Sequence, residues 1–202
     1  MTSIDSLAIE VTDATAAERF YANAFGLRTP LCLRDSQTPT AGFRGFTLSL
    51  TVSLPATVRA LVDGALAAGA TSLKPVTKSF WGYGAVVQAP DGTIWKVATS
   101  AKKDTGPATR EIDEIVLLLG VEDVAASKRF YVDHGLAVAK SFGRKYVEFA
   151  TPASPVKFGL YGRRALAKDA GVPPEGTGSH RITIGGDAGS FTDPDGFAWE
   201  AA

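Results

Sequence analysis

Two copies of one ordered set of motifs lie along this chain, and that duplication constrains the fold more than any other feature of the sequence. Residues 18–21 read Glu-Arg-Phe-Tyr and residues 128–131 read Lys-Arg-Phe-Tyr, with Gly26-Leu27 after the first and Gly135-Leu136 after the second. Near the end of each half, Pro90-Asp91-Gly92 precedes Trp95, and Pro194-Asp195-Gly196 precedes Trp199. The spacing between the copies drifts, but their order holds. Such self-similarity predicts two related units. A polar stretch containing Gly and Pro, Ser100 to Glu111, lies between them and has the composition of a linker. The expected organisation is a first domain over 1–100, a linker over 101–111 and a second domain over 112–202.

Both units open alike. Leu7, Ile9 and Val11 alternate with Ser6, Ala8 and Glu10, the period of a strand covered on one face. Thr12 or Asp13 then caps a helix whose Ala17, Phe20, Tyr21 and Ala24 form one apolar stripe, with Gly26 placed to end it. The second unit repeats this with an apolar strand from Ile112 to Leu119, Asp123 as the cap, and Phe130 and Tyr131 on the stripe. Both Phe-Tyr pairs are therefore expected in the core. The first unit continues with a strand over 43–52, a helix over 55–68 stopped by Gly69, and strands near 71–76, 83–89 and 93–98. The second offers strands near 137–142, 145–150, 156–161 and 180–185, with a Gly/Pro-rich stretch from Gly171 to Gly178. Strand 180–185 runs almost directly into the Asp193–Gly196 turn, so the helix of the last repeat is expected to be shortened or missing.

Composition excludes several functions. Lys+Arg and Asp+Glu number 21 each among 202 residues, and neither half carries an excess of basic residues to grip a phosphate backbone, so no nucleic-acid partner is expected. No apolar run is long enough to span a bilayer, and Met1 to Asp5 lacks both a basic and an apolar segment, so neither membrane nor secretory targeting is expected. The single cysteine, Cys32, forms no intrachain disulfide and fits a cytoplasmic setting. Between Leu31 and Leu33 it reads as a small buried hydrophobe. With two histidines, His134 and His180, a His-rich metal site is impossible.

A strand, a Phe-Tyr helix ending in Gly-Leu, a later helix ending Ala67-Ala68-Gly69-Ala70, then Pro-Asp-Gly-x-x-Trp: this order resembles the vicinal oxygen chelate superfamily, which includes glyoxalase I, bleomycin-resistance proteins and extradiol dioxygenases. The resemblance covers most of residues 4–99 and, less completely, 112–202. It implies an α+β fold of paired βαβββ modules, whose strongly curved mixed sheets form cups with helices on the outside. It makes 1–100 and 112–202 two glyoxalase/bleomycin-resistance-like domains, each of two modules, the first and last of the four abbreviated.

Metalloenzymes of this group resemble one another in a four-point site. It consists of a His or Gln in the first strand, a Glu ending the first module, a His opening the second, and a Glu four residues after Pro-Asp-Gly. In the first half the tested positions fall on Ser6, on or near Phe46, and on Lys96. Serine is a feeble ligand, phenylalanine has no donor atom and an ammonium repels a cation, so no metal is expected there. In the second half the resemblance places Glu114, His180 and Glu200 at three positions, and the fourth falls near Tyr161-Gly162, where there is no carboxylate. Those three are candidate ligands of one divalent metal (Zn, Ni, Mn or Fe), with Glu114 or Glu200 as the catalytic proton carrier. The competing expectation is no cofactor, with Glu114 or Glu200 paired to Arg181, Lys157 or Arg144 and His180 hydrogen-bonded at a strand start. One His with two carboxylates departs from the set that dioxygenases use, so any enzyme activity is expected to be that of a lyase or isomerase.

Further candidates are ligand-binding. Lys96 shares its strand face with Ile94 and Ala98 and meets either an anionic ligand or Glu10 across strands. Trp81 and Tyr83 belong to the aromatic run Phe80-Trp81-Gly82-Tyr83-Gly84, suited to stacking or to closing the core edge. Tyr146 and Glu148 alternate with Val147 and Phe149 and so face away from the helix layer, into the second cup. Arg144-Lys145 and Arg163-Arg164 read as solvated surface charges, and His134, in the last turn of its helix, is assigned no chemistry.

Three functions follow: a small-molecule-binding protein, metal-independent at least in its first half; a metal-dependent lyase or isomerase using Glu114, His180 and Glu200; or a non-catalytic interaction module. The expected partner in the first two is a small-molecule ligand or substrate. Four modules in one chain suit a monomer, and shortened ones suit a homodimer.

Overall fold

Alternation in Ile4–Val11 produces the first strand, β1, whose Leu7, Ile9 and Val11 are buried against a helix layer while Ser6 and Glu10 stay partly exposed on the other face. The computed structural model describes residues 2–152 and 154–202. After β1 come α1 (Ala14–Phe25), β2 (Leu31–Asp35), β3 (Thr40–Gly42), β4 (Phe46–Thr51), α2 (Pro55–Ala67), β5 (Thr71–Ser79), β6 (Gly82–Gln88) and β7 (Ile94–Thr99). Then follow β8 (Glu114–Val121), α3 (Val124–Asp133), β9 (Val138–Phe142), β10 (Tyr146–Phe149), β11 (Val156–Gly162), α4 (Arg163–Ala170), β12 (Gly176–Gly178), β13 (Ile182–Gly186), β14 (Phe191–Thr192) and β15 (Ala198–Ala201).

Local chemistry sets the helix limits. The Asp13 carboxylate accepts the Ala16 N–H at 2.8 Å, and Gly26, at φ 71°, takes the left-handed turn that stops α1. Asp123 does the same for α3, accepting from Ala125 and Ala126. Helix α2 begins with Pro55 and has no side-chain cap of its own. Its Ala56 N–H instead donates to Asp104 at 2.5 Å, from the segment between β7 and β8. Arg110 of the same segment donates to the Asn23 and Ala24 carbonyls at the end of α1, so 101–111 is fastened across two helices.

The strands form two large sheets, and neither belongs to one half of the chain. An eight-stranded sheet runs β5-β6-β7-β4-β8-β11-β10-β9, joined at its centre by the antiparallel pair β4–β8. A five-stranded sheet runs β14-β15-β13-β1-β2, joined by the antiparallel pair β1–β13. The second and third modules therefore share one sheet, and the first and fourth share the other. Only Asp187 to Ser190 separate β13 from β14, and no helix stands there.

The repeated motifs meet in space. The Tyr21 hydroxyl donates to Asp91 at 2.5 Å and accepts from Trp95 Nε1 at 3.4 Å. The Tyr131 hydroxyl donates to Asp193 at 2.6 Å and accepts from Trp199 Nε1 at 3.2 Å. Burial, then the adjacent carboxylate, pushes both tyrosines well above their ordinary range. The second copy recruits Asp193 rather than Asp195, which instead accepts from Ser127 and the Glu122 N–H. Burial raises the Asp193 carboxyl despite the Tyr131 and Phe197 donors. These aromatic latches sit in one continuous core that joins both sheets to α1, α2 and α3.

Candidate functional site

Each sheet presents a helix-covered face and an opposite face, and the two opposite faces differ. On the eight-stranded sheet, α4 packs into the concavity. Its Leu166, Ala167 and Ala170 are buried together with Phe43, Val86 and Ile94, and Leu118 and Tyr161 pack alongside. Lys96 bonds Asp169 of that helix at 2.7 Å, and Lys74 donates to the carbonyls of Lys168 and Asp169 at the helix C-terminus. A side chain at Gly120 would come within 2.9 Å of the Gly45 carbonyl and 3.2 Å of Leu166, so the helix sits this close only above a glycine. Arg163 donates to the Pro174 and Phe43 carbonyls and stacks over the Phe43 ring, which fixes the entry to the helix.

On the five-stranded sheet the corresponding face stays open. Strand register places Ser6, Ala8 and Glu10 of β1, Cys32 and Arg34 of β2, Thr183 and Gly185 of β13, and Ala198 and Glu200 of β15 on it. Arg34 and Glu200 form a bidentate pair at 3.1 and 3.0 Å, although β1 and β13 lie between their strands, a span of about 14 Å in a flat sheet. The sheet is therefore strongly curved, and the pair bridges its concavity above Ala8 and Thr183, which are 4% and 7% exposed. The hydrogen bond from Arg34 holds the Glu200 carboxyl below its usual range, and Glu200 raises the guanidinium, with Cys32 adding to the same effect. A recess of about 500 Å³ adjoins this face, lined by Asp5, Ser6, Thr29, Pro30, Leu31, Cys32 and Pro155.

This geometry has solved counterparts. Glyoxalase I from Zea mays superposes with a TM-score of 0.62 at 14% identity, covering 100% of this chain and 92% of that one. A proposed dioxygenase of Bacillus subtilis superposes at 0.57 with 12% identity, covering 96% of this chain and 71% of that one. The chain has the vicinal oxygen chelate fold. No family model and no curated protein matches the sequence.

Within the vicinal oxygen chelate fold, the two module pairs decide where the predicted site residues go. Glu114 opens β8, exposed at the end of the eight-stranded sheet opposite Thr51. Glu200 lies on the five-stranded sheet, bound to Arg34 rather than to Arg181, Lys157 or Arg144. His180 precedes β13, stacked on Phe197 at 4.0 Å, with Nδ1 2.5 Å from the Arg44 carbonyl and Nε2 3.0 Å from the Asp195 carbonyl. Each ring nitrogen thus faces a backbone carbonyl oxygen. Among the described residues no three of His, Cys, Asp and Glu gather as a metal site. Glu114 lies in the eight-stranded sheet and Glu200 in the five-stranded sheet, so these two expected ligands are not brought together.

Other expectations change for similar reasons. Cys32 is exposed, not buried, because β2 edges its sheet and its even positions face the open cup. Lys96 meets Asp169, not Glu10, since the two strands belong to different sheets. Arg163 is a fixed structural residue rather than a solvated charge. Trp81 is 80% exposed beside Phe80 at the β5–β6 hairpin, and the Arg59 and Lys78 cations lie 5.9 and 5.7 Å from the Tyr83 ring centre. Tyr146 and Glu148 stand on the face opposite α3, the face on which α4 packs beside Tyr161, and there Glu148 accepts from Tyr146 and Lys140. Burial and then Glu148 push the Tyr146 hydroxyl up to about 12. His134 caps α3, bonded to the Phe130 carbonyl and stacked on that ring.

Arg34 is a site residue that no sequence motif marks. Its signal was the alternation Leu31-Cys32-Leu33-Arg34, which puts Cys32 and Arg34 on one strand face.

Proposed function

We propose that this chain is a small-molecule-binding protein of the glyoxalase/bleomycin-resistance type, working without a metal through the open cup of the five-stranded sheet. One observation carries the reading: of two comparable cups, the chain's own helix α4 fills one, while the other is lined by Ser6, Cys32, Arg34, Thr183 and Glu200 and adjoins the 500 Å³ recess. Both cups are built within a single chain, so no second subunit is required. In the same reading, 1–100 and 112–202 are copies of one two-module unit, with 101–111 as the connection that lets modules two and three pair.

Thermal-shift screening of hydrophobic small molecules, followed by iodoacetamide labelling of Cys32, tests this. Compounds that raise the midpoint are expected to slow Cys32 alkylation; compounds that raise it without slowing alkylation would place the ligand elsewhere. Metal content by mass spectrometry separates the lyase reading: wild type and His180→Ala should carry the same sub-stoichiometric metal. A stoichiometric ion lost in the variant would restore Glu114, His180 and Glu200 as a site. The 77% and 80% exposure of Phe80 and Trp81 favours an interaction module as the second reading. That reading gains if Trp81→Ala abolishes partner binding while every small molecule leaves the midpoint unmoved.

A further inference from the structure

We infer that the open cup selects small carboxylates through Arg34, and that Glu200 is the chain's own stand-in for the ligand's carboxylate. This rests on the open cup being the ligand site. The guanidinium already holds two parallel N–H···O bonds, at 3.1 and 3.0 Å, the fork geometry by which arginine recognises a planar carboxylate. Both side chains are about half exposed, 47% and 52%, so the pair contributes little stability and one carboxylate replaces another at small cost. Glu200 comes from β15, and among the described residues its side chain bonds only Arg34.

An incoming ligand brings what Glu200 lacks. The recess shares Ser6 and Cys32 with this face and adds the apolar walls of Pro30, Leu31 and Pro155, room for a short hydrophobic body behind a carboxylate. The acids nearby are Asp5, exposed on the recess lining, and Glu10, level with Arg34 on the sheet.

Benzoate and its neutral isostere benzamide are the probes. The readouts are the rate of Cys32 alkylation and the backbone amide shifts of Ala8, Thr183 and Ala198. Benzoate is expected to slow alkylation and shift those amides saturably, and benzamide to do neither. Glu200→Gln removes the internal competitor and should tighten benzoate by about threefold, the scale of an exposed ion pair. Arg34→Met should abolish the response, and Arg34→Lys, which keeps the charge without the fork, should leave it weakened. Equal protection by benzoate and benzamide, or protection surviving in Arg34→Met, would overturn carboxylate selection while leaving the open cup as the ligand site. Ligands that stabilise the protein with no effect on Cys32 in any variant would overturn the site itself.

Discussion

The two cups are built alike and end differently. Each joins two modules through an antiparallel pair of first strands, β4 with β8 in one sheet and β1 with β13 in the other. The eight-stranded sheet has α2 and α3 on one face and α4 on the other, and its β8 reads Ile-Val-Leu-Leu-Leu, a run suited to burial on both sides. The five-stranded sheet is covered on one face only, and its β1 alternates. A cup filled by its own helix is core, and a cup left open keeps polar side chains in solvent. The comparison teaches that the fold supplies the concavity while one short helix decides which concavity is free to bind.

The strongest way to break this contrast is to empty the filled cup. Leu166 is fully buried, and Leu166→Ala should cost about 2–5 kcal/mol in urea unfolding while leaving the Cys32 alkylation rate unchanged. A faster Cys32 reaction in this variant would show that the cups are coupled. Next in size is the latch beneath the fourth module: Tyr131→Phe leaves the buried Asp193 carboxyl without its hydroxyl donor and should cost about 1–3 kcal/mol. Tyr21→Phe should cost less, because Asp91 is less buried than Asp193.

Lys96→Met should change stability by less than about 1 kcal/mol, since the Lys96–Asp169 pair is 35% and 43% exposed and α4 is held by apolar burial. A larger loss would make the ion pair, rather than Leu166, the fastening of the plug. The smallest effect is a titration. Tyr146 is raised to about 12 from an ordinary 10.0, so its contribution to stability is complete below pH 10 and lost as pH rises toward 12. Tyrosinate absorbance should lose its step near 12 in Tyr146→Phe, while the more deeply buried Tyr21 and Tyr131 still titrate late.

Much of this was legible from local pattern. The alternation of Leu7, Ile9 and Val11, the caps Asp13 and Asp123, the stop at Gly26 and the core role of Tyr21 and Tyr131 are short-range chemistry, and the structure has each of them. Helix α4 was not legible. It is only eight residues long, and its three buried residues, Leu166, Ala167 and Ala170, fit in little more than one turn. Cys32 is exposed where its neighbours predict burial, because two flanking leucines look the same in an edge strand as in a central one.

By itself the sequence determined the duplicated order of motifs, the elements those motifs build, and a zero net charge that argues against nucleic acid. Tertiary structure alone decided that the first module pairs with the fourth and the second with the third. That pairing puts Glu114 and Glu200 in different sheets, turns Glu200 onto Arg34, and drops α4 into one cup. The physical reason is that periodicity fixes which face of a strand is apolar, whereas the choice of neighbouring strand depends on burying those faces across long sequence separations.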